Sequence, residues 1–357
     1  MPGAYSRRAL LGALGALGAS VALNACKGVD HLPPDSGAAT GPGAGTGGAL
    51  AGPGVVAAGA SSSGSGAASA SASPTPLRTV QAATGSVQVP PSPSRVVVLG
   101  TAELDSALTL GATPVGAARA ALDGGLPDYF PSGWLSPVAE VGAVGGPDLG
   151  EILQLQPDLI LSSRAVDGSR YHQLAAIAPT VLTESTGASW KQDFQLHTQA
   201  LNAQTFADAI TSAYQDHVRE VTAALGGTGA TRKQQISLVR FVQDQEPRLV
   251  ATRSFLGVLL ADVQLGRPSA QNAQTAEVVI SSTDKLGEAD GTTIFYATYG
   301  DPARAHTDEV LNSQAWKDLS AVKAGRAYAV DDQLWYQGIG YFGADLILAQ
   351  LRRYLGG

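Results

Sequence analysis

Cysteine is almost absent: the 357 residues hold one, Cys26. No disulfide can form within the chain, so any folded part is held by an ordinary apolar core. Histidine is scarce too, scattered at His31, His172, His197, His217 and His306. Neither residue type has the spacing of a dedicated metal site. Charged residues are 15% of the chain and sum to −7, with no basic stripe. That balance argues against nucleic acid and against a polybasic membrane surface. No apolar run reaches the roughly 20 residues that a membrane-crossing helix needs. There is no Gly-x-Gly-x-x-Gly after the first strand, no nucleophile elbow, no His-Glu-x-x-His and no phosphate loop. Nothing therefore points to an enzyme.

What is present begins with a processing signal. Ser6-Arg7-Arg8-Ala9-Leu10-Leu11 has the form of a twin-arginine export signal. Leu10 to Leu23 is an Ala/Gly/Leu run of about fourteen residues, the length of a signal-peptide core. Leu23-Asn24-Ala25-Cys26 then has the form of a lipobox, although Asn24 is not the usual residue at its position. Residues 1–25 are expected to be removed and Cys26 to be lipidated. The competing reading, a free buried cysteine, needs a core around position 26 that these residues cannot make. Two or more acyl chains hold a protein to a membrane where a single one binds only marginally. The protein is thus expected outside the cytoplasm, anchored to the cell membrane.

Residues 26–76 are nearly all Ala, Gly, Ser, Pro and Thr. They carry too few large apolar side chains to offset the entropy of folding. They read as a disordered tether with a root-mean-square span of ~40 Å. The remaining residues, about 280 of them, suffice for one large or two medium α/β lobes.

In that part strands alternate with helices. Arg95-Val96-Val97-Val98-Leu99-Gly100 is a continuous β-branched run closed by glycine, a buried strand. A helix over 103–110 follows, then strands at 114–117, 158–161 and 180–182, with helices at 148–155 and 171–177 between them. Such alternation implies parallel pairing with crossovers. Residues 192–225 keep helical spacing with few breakers, much longer than the usual 11–12 residues. A second α/β pattern starts at Ile236, with strands at 236–242, 248–250, 278–280, 293–296 and 327–330. Its helices fall at 255–260, 309–319 and 344–355.

These segments, in this order, resemble the substrate-binding proteins of ABC importers for iron–siderophore complexes, relatives of vitamin B12 and haem carriers. The matching pieces include Pro93-Ser94-Arg95-Val96-Val97-Val98 and Glu103-Leu104-Asp105 leading to Leu110-Gly111-Ala112-Thr113-Pro114-Val115-Gly116. Others are Pro147-Asp148-Leu149 leading to Gln156-Pro157-Asp158-Leu159-Ile160-Leu161, and Trp316-Lys317-Asp318-Leu319 with Val322-Lys323-Ala324-Gly325-Arg326-Ala327-Tyr328. The resemblance covers Leu77 to Gly357. It implies an α/β protein of two Rossmann-like lobes, residues 77–195 and 229–357, joined by one long bridging helix over 196–228, with the ligand cleft between the lobes. It also implies a monomer that binds without catalysis and delivers its cargo to a membrane permease.

A ferric siderophore hides its iron inside the chelator, so the protein meets outward oxygens. Arginine forks suit paired oxygens, and aromatic rings supply rigid contact area. The candidates near the implied cleft are Arg164, Arg240, Arg253, Trp190 and Trp335, with Tyr171 and Tyr299 as lesser ones. Arg164 follows a strand end, where α/β sheets place ligands. The plain alternative for each arginine is a solvated surface charge, and for each tryptophan a core residue. Relatives carry one glutamate per lobe that docks on the permease. Here the aligned positions are Gly150 and Thr283, and the acids Glu151 and Asp284 stand one residue on. A one-residue step turns a helical side chain by about 100°. Haem is the alternative cargo, with Tyr171-His172 as possible iron ligands. A lipoprotein that keeps the fold for envelope interactions is the other alternative.

Overall fold

A computed structural model describes residues 76–356. The export signal, Cys26 and nearly all of the tether lie outside these residues. Among the described residues, no helix is long and apolar enough to cross a membrane.

The chain enters through a hairpin of β1 (Arg78–Ala82) and β2 (Gly85–Val89). Its alternating burial leaves Val80, Val87 and Val89 on the core side. The first lobe is built on β3 (Val96–Val98), β4 (Gly116–Arg119), β5 (Ala139–Ala143), β6 (Gly146–Pro147), β7 (Leu159–Ser163) and β8 (Thr180–Thr183). These form one sheet in the order β6-β5-β4-β3-β7-β8, parallel except for β6. Every residue of β3, β7 and β8 is buried, because helices cover both faces of a parallel sheet. The Asp158 carboxylate accepts hydrogen bonds from the Ser94 and Arg95 amides, tying β7 to the start of β3.

Helix Thr101–Thr109 leaves β3 at once. It ends where Gly111 takes a φ of 79°, and the amides of Gly111 and Ala112 turn back to the carbonyls of Leu108 and Ala107. Glycine suits that left-handed stop because it has no Cβ to clash.

The long segment after β8 is divided. Helix Trp190–Leu201 stops at Asn202, which adopts φ 56°, and helix Gln204–Ala224 begins two residues later. The expected single run from 192 to 225 is therefore two helices. Asparagine tolerates the left-handed conformation, and its side-chain amide donates to the Pro91 carbonyl. The bridging element proper is the 21-residue second helix, about 31 Å long at 1.5 Å per residue.

The second lobe has β9 (Ile236–Val242), β10 (Arg248–Val250), β11 (Glu277–Val279), β12 (Thr293–Tyr299) and β13 (Ala327–Ala329). Their order is β11-β10-β9-β12-β13. β9, β12 and β13 are parallel, whereas β10 and β11 are antiparallel additions. Helix Tyr341–Leu355 closes the chain and packs on both the bridging helix and helix Thr101–Thr109.

The two lobes share one core behind the cleft. Trp190 packs its ring edge-on against Tyr214 of the bridging helix, Phe255 of the second lobe and Tyr341 of the last helix, with centroids 5.5, 5.4 and 4.8 Å away. Asp105, wholly buried on helix Thr101–Thr109, accepts the amides of Phe342 and Gly343 at 3.2 and 2.9 Å. A carboxylate of the first lobe thus caps the last helix. Between β4 and β5, Tyr129, Phe130 and Trp134 gather on Phe342, a second aromatic tie between the lobes.

Candidate ligand cleft

β4 lies on one side of β3 and β7 on the other, so the crossovers leave β3 in opposite directions. In doubly wound sheets ligands bind in the crevice at that reversal, beyond the carboxyl ends of the strands. A cavity of about 220 Å³ lies there. The first lobe lines it with the ends of β3, β4 and β7, including Gly100, Glu103, Ala121, Ser162 and Ser163. The second lobe closes it with Arg240, Tyr299, Tyr336, Gln337 and Ile339.

Arg240 stands on β9, the one charged side chain in a strand whose other residues are all buried. Asp332 holds it through both forks, Nε to Oδ1 and Nη2 to Oδ2, each 2.7 Å. Gln337 adds a hydrogen bond to Asp332 Oδ2 at 2.9 Å. The guanidinium carbon lies 4.8 Å from the ring centre of Tyr299 and 5.2 Å from that of Tyr336. Burial pulls the Arg240 pKa down, but the Asp332 bonds and charge outweigh it and the net direction is up. Arg240 is therefore a permanent, immobile cation whose Nη1 has no partner among the described residues. Tyr336 is fixed by donating to the Val239 carbonyl, and Tyr299 by accepting the Leu122 amide across the lobe boundary.

On the opposite wall Glu103 sits in the first turn of its helix, 1% exposed. Its Oε1 has no hydrogen-bond partner. The carboxyl folds back so tightly that a Cβ on Gly100 would stand 2.3 Å from Oε2, so a larger residue there would push the carboxyl out of its place. Burial lifts its pKa to about 7; its own backbone amide opposes this, while the Asp193 and Asp167 charges add to it. Ser163, at the end of β7, also has a buried hydroxyl without a partner. A rigid cation between two tyrosine faces thus confronts polar oxygens that await partners. That arrangement suits reversible binding.

Of the residues singled out from the sequence, Arg240 and Tyr299 line the cavity. The tryptophan expectation is corrected. Trp335 is fully buried and donates Nε1 to Gln350 at 2.7 Å, while Trp190 is 2% exposed in the shared core. Their neighbours explain the miss: along the turn Asp332–Trp335 successive side chains diverge by about 100°, so Trp335 enters the core and Tyr336 faces the cleft. Arg164 is exposed, pairs with Glu184 and stands one residue beyond the lining residue Ser163. Arg253 is exposed in the loop before helix Phe255–Asp262. Tyr171 lies edge-on to His172 outside the lining, so the pair marked for haem does not face the cavity. Glu151 and Asp284 are both exposed, on helix Leu149–Gln154 and in the 3-10 turn Thr283–Ala289. Sequence reasoning missed Glu103, Asp332 and Tyr336 as a group, since only the meeting of the lobes assembles them.

Residues 96–334 match the periplasmic binding protein family. The probable siderophore-binding lipoprotein YfiY of Bacillus subtilis is 32% identical over 288 residues, covering 78% of this chain and 87% of that protein. The achromobactin-binding periplasmic protein of Dickeya dadantii is 26% identical over 269 residues, 74% of this chain and 87% of its own. The crystal structure of Staphylococcus aureus SirA complexed with staphyloferrin B superposes with a TM-score of 0.71 at 26% identity, covering 78% of this chain and 98% of that one. With the two-lobed cleft and these relatives together, the chain belongs to the periplasmic binding protein family.

Proposed function

We propose that this protein captures a ferric siderophore in the cleft between its lobes and passes it to an ABC permease. One observation carries the reading: Arg240, clamped by Asp332 and sandwiched by Tyr299 and Tyr336, opens on a cavity at the strand ends of the first lobe. The named functions of YfiY, the achromobactin-binding protein and SirA support it. Iron travels as cargo inside its chelator, so the protein's work is to hold the chelator's surface. Arg240 Nη1 and the Ser163 hydroxyl offer donors, and the two tyrosine rings offer area with little conformational entropy to lose. A siderophore larger than the cavity extends toward Arg164, whose exposed pair with Glu184 exchanges easily for a ligand oxygen.

The finer parts of the proposal follow from the sequence. Lipidation of Cys26 anchors the protein outside the cytoplasmic membrane, and the tether lets the lobes reach the permease. Glu151 and Asp284 offer one exposed acid per lobe for docking on a basic permease surface. Calorimetric titration of the full-length chain with a panel of ferric siderophores, and with the iron-free chelators as controls, tests the reading. Saturable binding of a ferric complex at sub-micromolar concentration is expected, weakened about tenfold or more in Arg240→Ala, the scale of one lost charged contact. Absence of saturable binding across the panel would sink the siderophore reading.

A further inference from the structure

We propose that the cleft selects a ferric complex of zero or near-zero net charge, of the tris-hydroxamate type, over multiply anionic tris-catecholate or carboxylate complexes. This rests on the siderophore reading above and narrows it to a ligand class.

The inference comes from the charges that the structure brings together. Of the residues lining the cavity, Arg240 and Glu103 are the ionisable acid and base groups of opposite sign. Arg240 brings a positive charge that Asp332 cancels at contact, with the carboxylate side chain 6% exposed. Gln337 reinforces that carboxylate and also reaches a second acid, Asp123, at 3.4 Å. Glu103 adds nothing positive, and Arg164 and Arg253 stand outside the lining. The wall of the cavity itself is thus neutral to acidic, and Arg164, one residue beyond the lining, already carries Glu184 as its countercharge. Most of the remaining surface is apolar, with Leu99, Val144, Val166 and Ile339 among its members.

The chemistry of iron chelation separates the ligand classes on this point. Iron(III) with three hydroxamates, each a monoanion, is neutral. Iron(III) with three catecholates, each a dianion, carries three negative charges. A trianion in this cleft would lose its water beside Asp332 and Glu103 and gain no free countercharge. A neutral complex loses little hydration, packs its body on the apolar wall and tyrosine faces, and takes single hydrogen bonds from Arg240 Nη1 and Ser163. The bidentate Asp332 clamp also prevents Arg240 from swinging out to offer its planar fork to a carboxylate or catecholate pair.

The test is calorimetry on the full-length chain at physiological salt, with ferrichrome as the neutral trihydroxamate, and ferric enterobactin and ferric citrate as the anionic probes. Ferrichrome is expected to bind about 100-fold tighter than ferric enterobactin, the scale of like-charge exclusion at an interface. Asp332→Asn, which uncovers the Arg240 charge, should narrow that ratio by about tenfold, the worth of one partly screened charge. Ala121→Lys adds a free cation at an exposed lining position, where folding is not at stake, and should shift the ratio in the same direction by a similar factor. Tighter binding of ferric enterobactin or ferric citrate than of ferrichrome by the unaltered chain overturns the proposal while leaving the siderophore reading intact. A ratio unmoved by both substitutions overturns its electrostatic cause. Failure of every ferric complex to bind removes the siderophore reading and this inference with it.

Discussion

Glu103 and Asp105 stand two residues apart on one helix, both buried, both carboxyls lifted by burial, to about 7 and about 6. They serve opposite faces of the lobe boundary. Asp105 points to the hinge side and is matched: it accepts two amides of the last helix and the Thr109 hydroxyl. Glu103 points to the cleft side and is left with an oxygen unpartnered. A buried polar group with its partners present builds structure, while one whose partners are missing is poised for something that arrives. The same contrast extends outward. Behind, Trp190, Tyr214, Phe255 and Tyr341 form a dense aromatic joint, and in front the walls meet through a few hydrogen bonds such as Leu122 to Tyr299.

The sharpest way to break the comparison is to empty the hinge side. Trp190→Ala removes the ring on which three others converge and should cost about 3–5 kcal/mol of stability, as large aromatic truncations do. Urea unfolding should show the midpoint falling with its slope unchanged. A loss below about 1 kcal/mol would mean that the joint is loosely packed and the lobes are held elsewhere. Asp105→Ala comes next. It strips the cap from helix Tyr341–Leu355 and leaves two amides without an acceptor, for an expected loss of about 1–3 kcal/mol by the same measurement.

Much of this division was legible in the sequence, though unevenly. The buried parallel strands were plain because β3 is all valine and β7 opens with Leu159-Ile160-Leu161. Arg240 was only half legible, because an arginine alternating with Val239 and Phe241 fits a solvent-facing position as well as a ligand contact. The break at Asn202 had a readable signal, an asparagine directly after a periodic run, which the periodicity on either side masked. The hairpin β1–β2 was missed although its short strands alternate around the turn Ala83-Thr84. The cleft group itself was not legible. Glu103 and Arg240 are 137 positions apart and belong to different lobes, and no local pattern records that they line one space. Trp335 drew notice as the large aromatic, yet its neighbour Tyr336 faces the cleft.

The cleft side offers a test by pH. Glu103 has a folded pKa near 7 against an ordinary 4.5, so the folded state binds this proton more tightly than the unfolded chain. The stability it contributes is therefore whole below about pH 4.5 and is lost as pH rises through about 7. Glu103→Gln removes the cost of burying the charge. It should stabilise the protein by about 2–3 kcal/mol at pH 8 and by little at pH 4.5, since each tenfold difference in proton affinity is worth about 1.4 kcal/mol. Urea midpoints at both values decide it. Equal midpoints for the two proteins at pH 8 would show that Glu103 is already satisfied when charged, and the contrast with Asp105 would close.

The smallest effect is expected where the lobe edge meets solvent, and it sharpens the comparison by contrast. Arg164 and Glu184 form an ion pair with both side chains more than half exposed. Water screens such a pair and each partner recovers hydration when it breaks, so Arg164→Ala should change stability by about 0.5 kcal/mol or less. Its effect on ligand affinity is the informative quantity. If a siderophore extends from the cavity past Ser163, the substitution weakens binding several-fold while the urea midpoint stays in place. If neither quantity moves, the ligand ends at Ser163 and the cleft side narrows to Arg240, Glu103 and the two tyrosines. Loss of stability without loss of affinity would instead make Arg164 part of the scaffold, as Asp105 is on the other face.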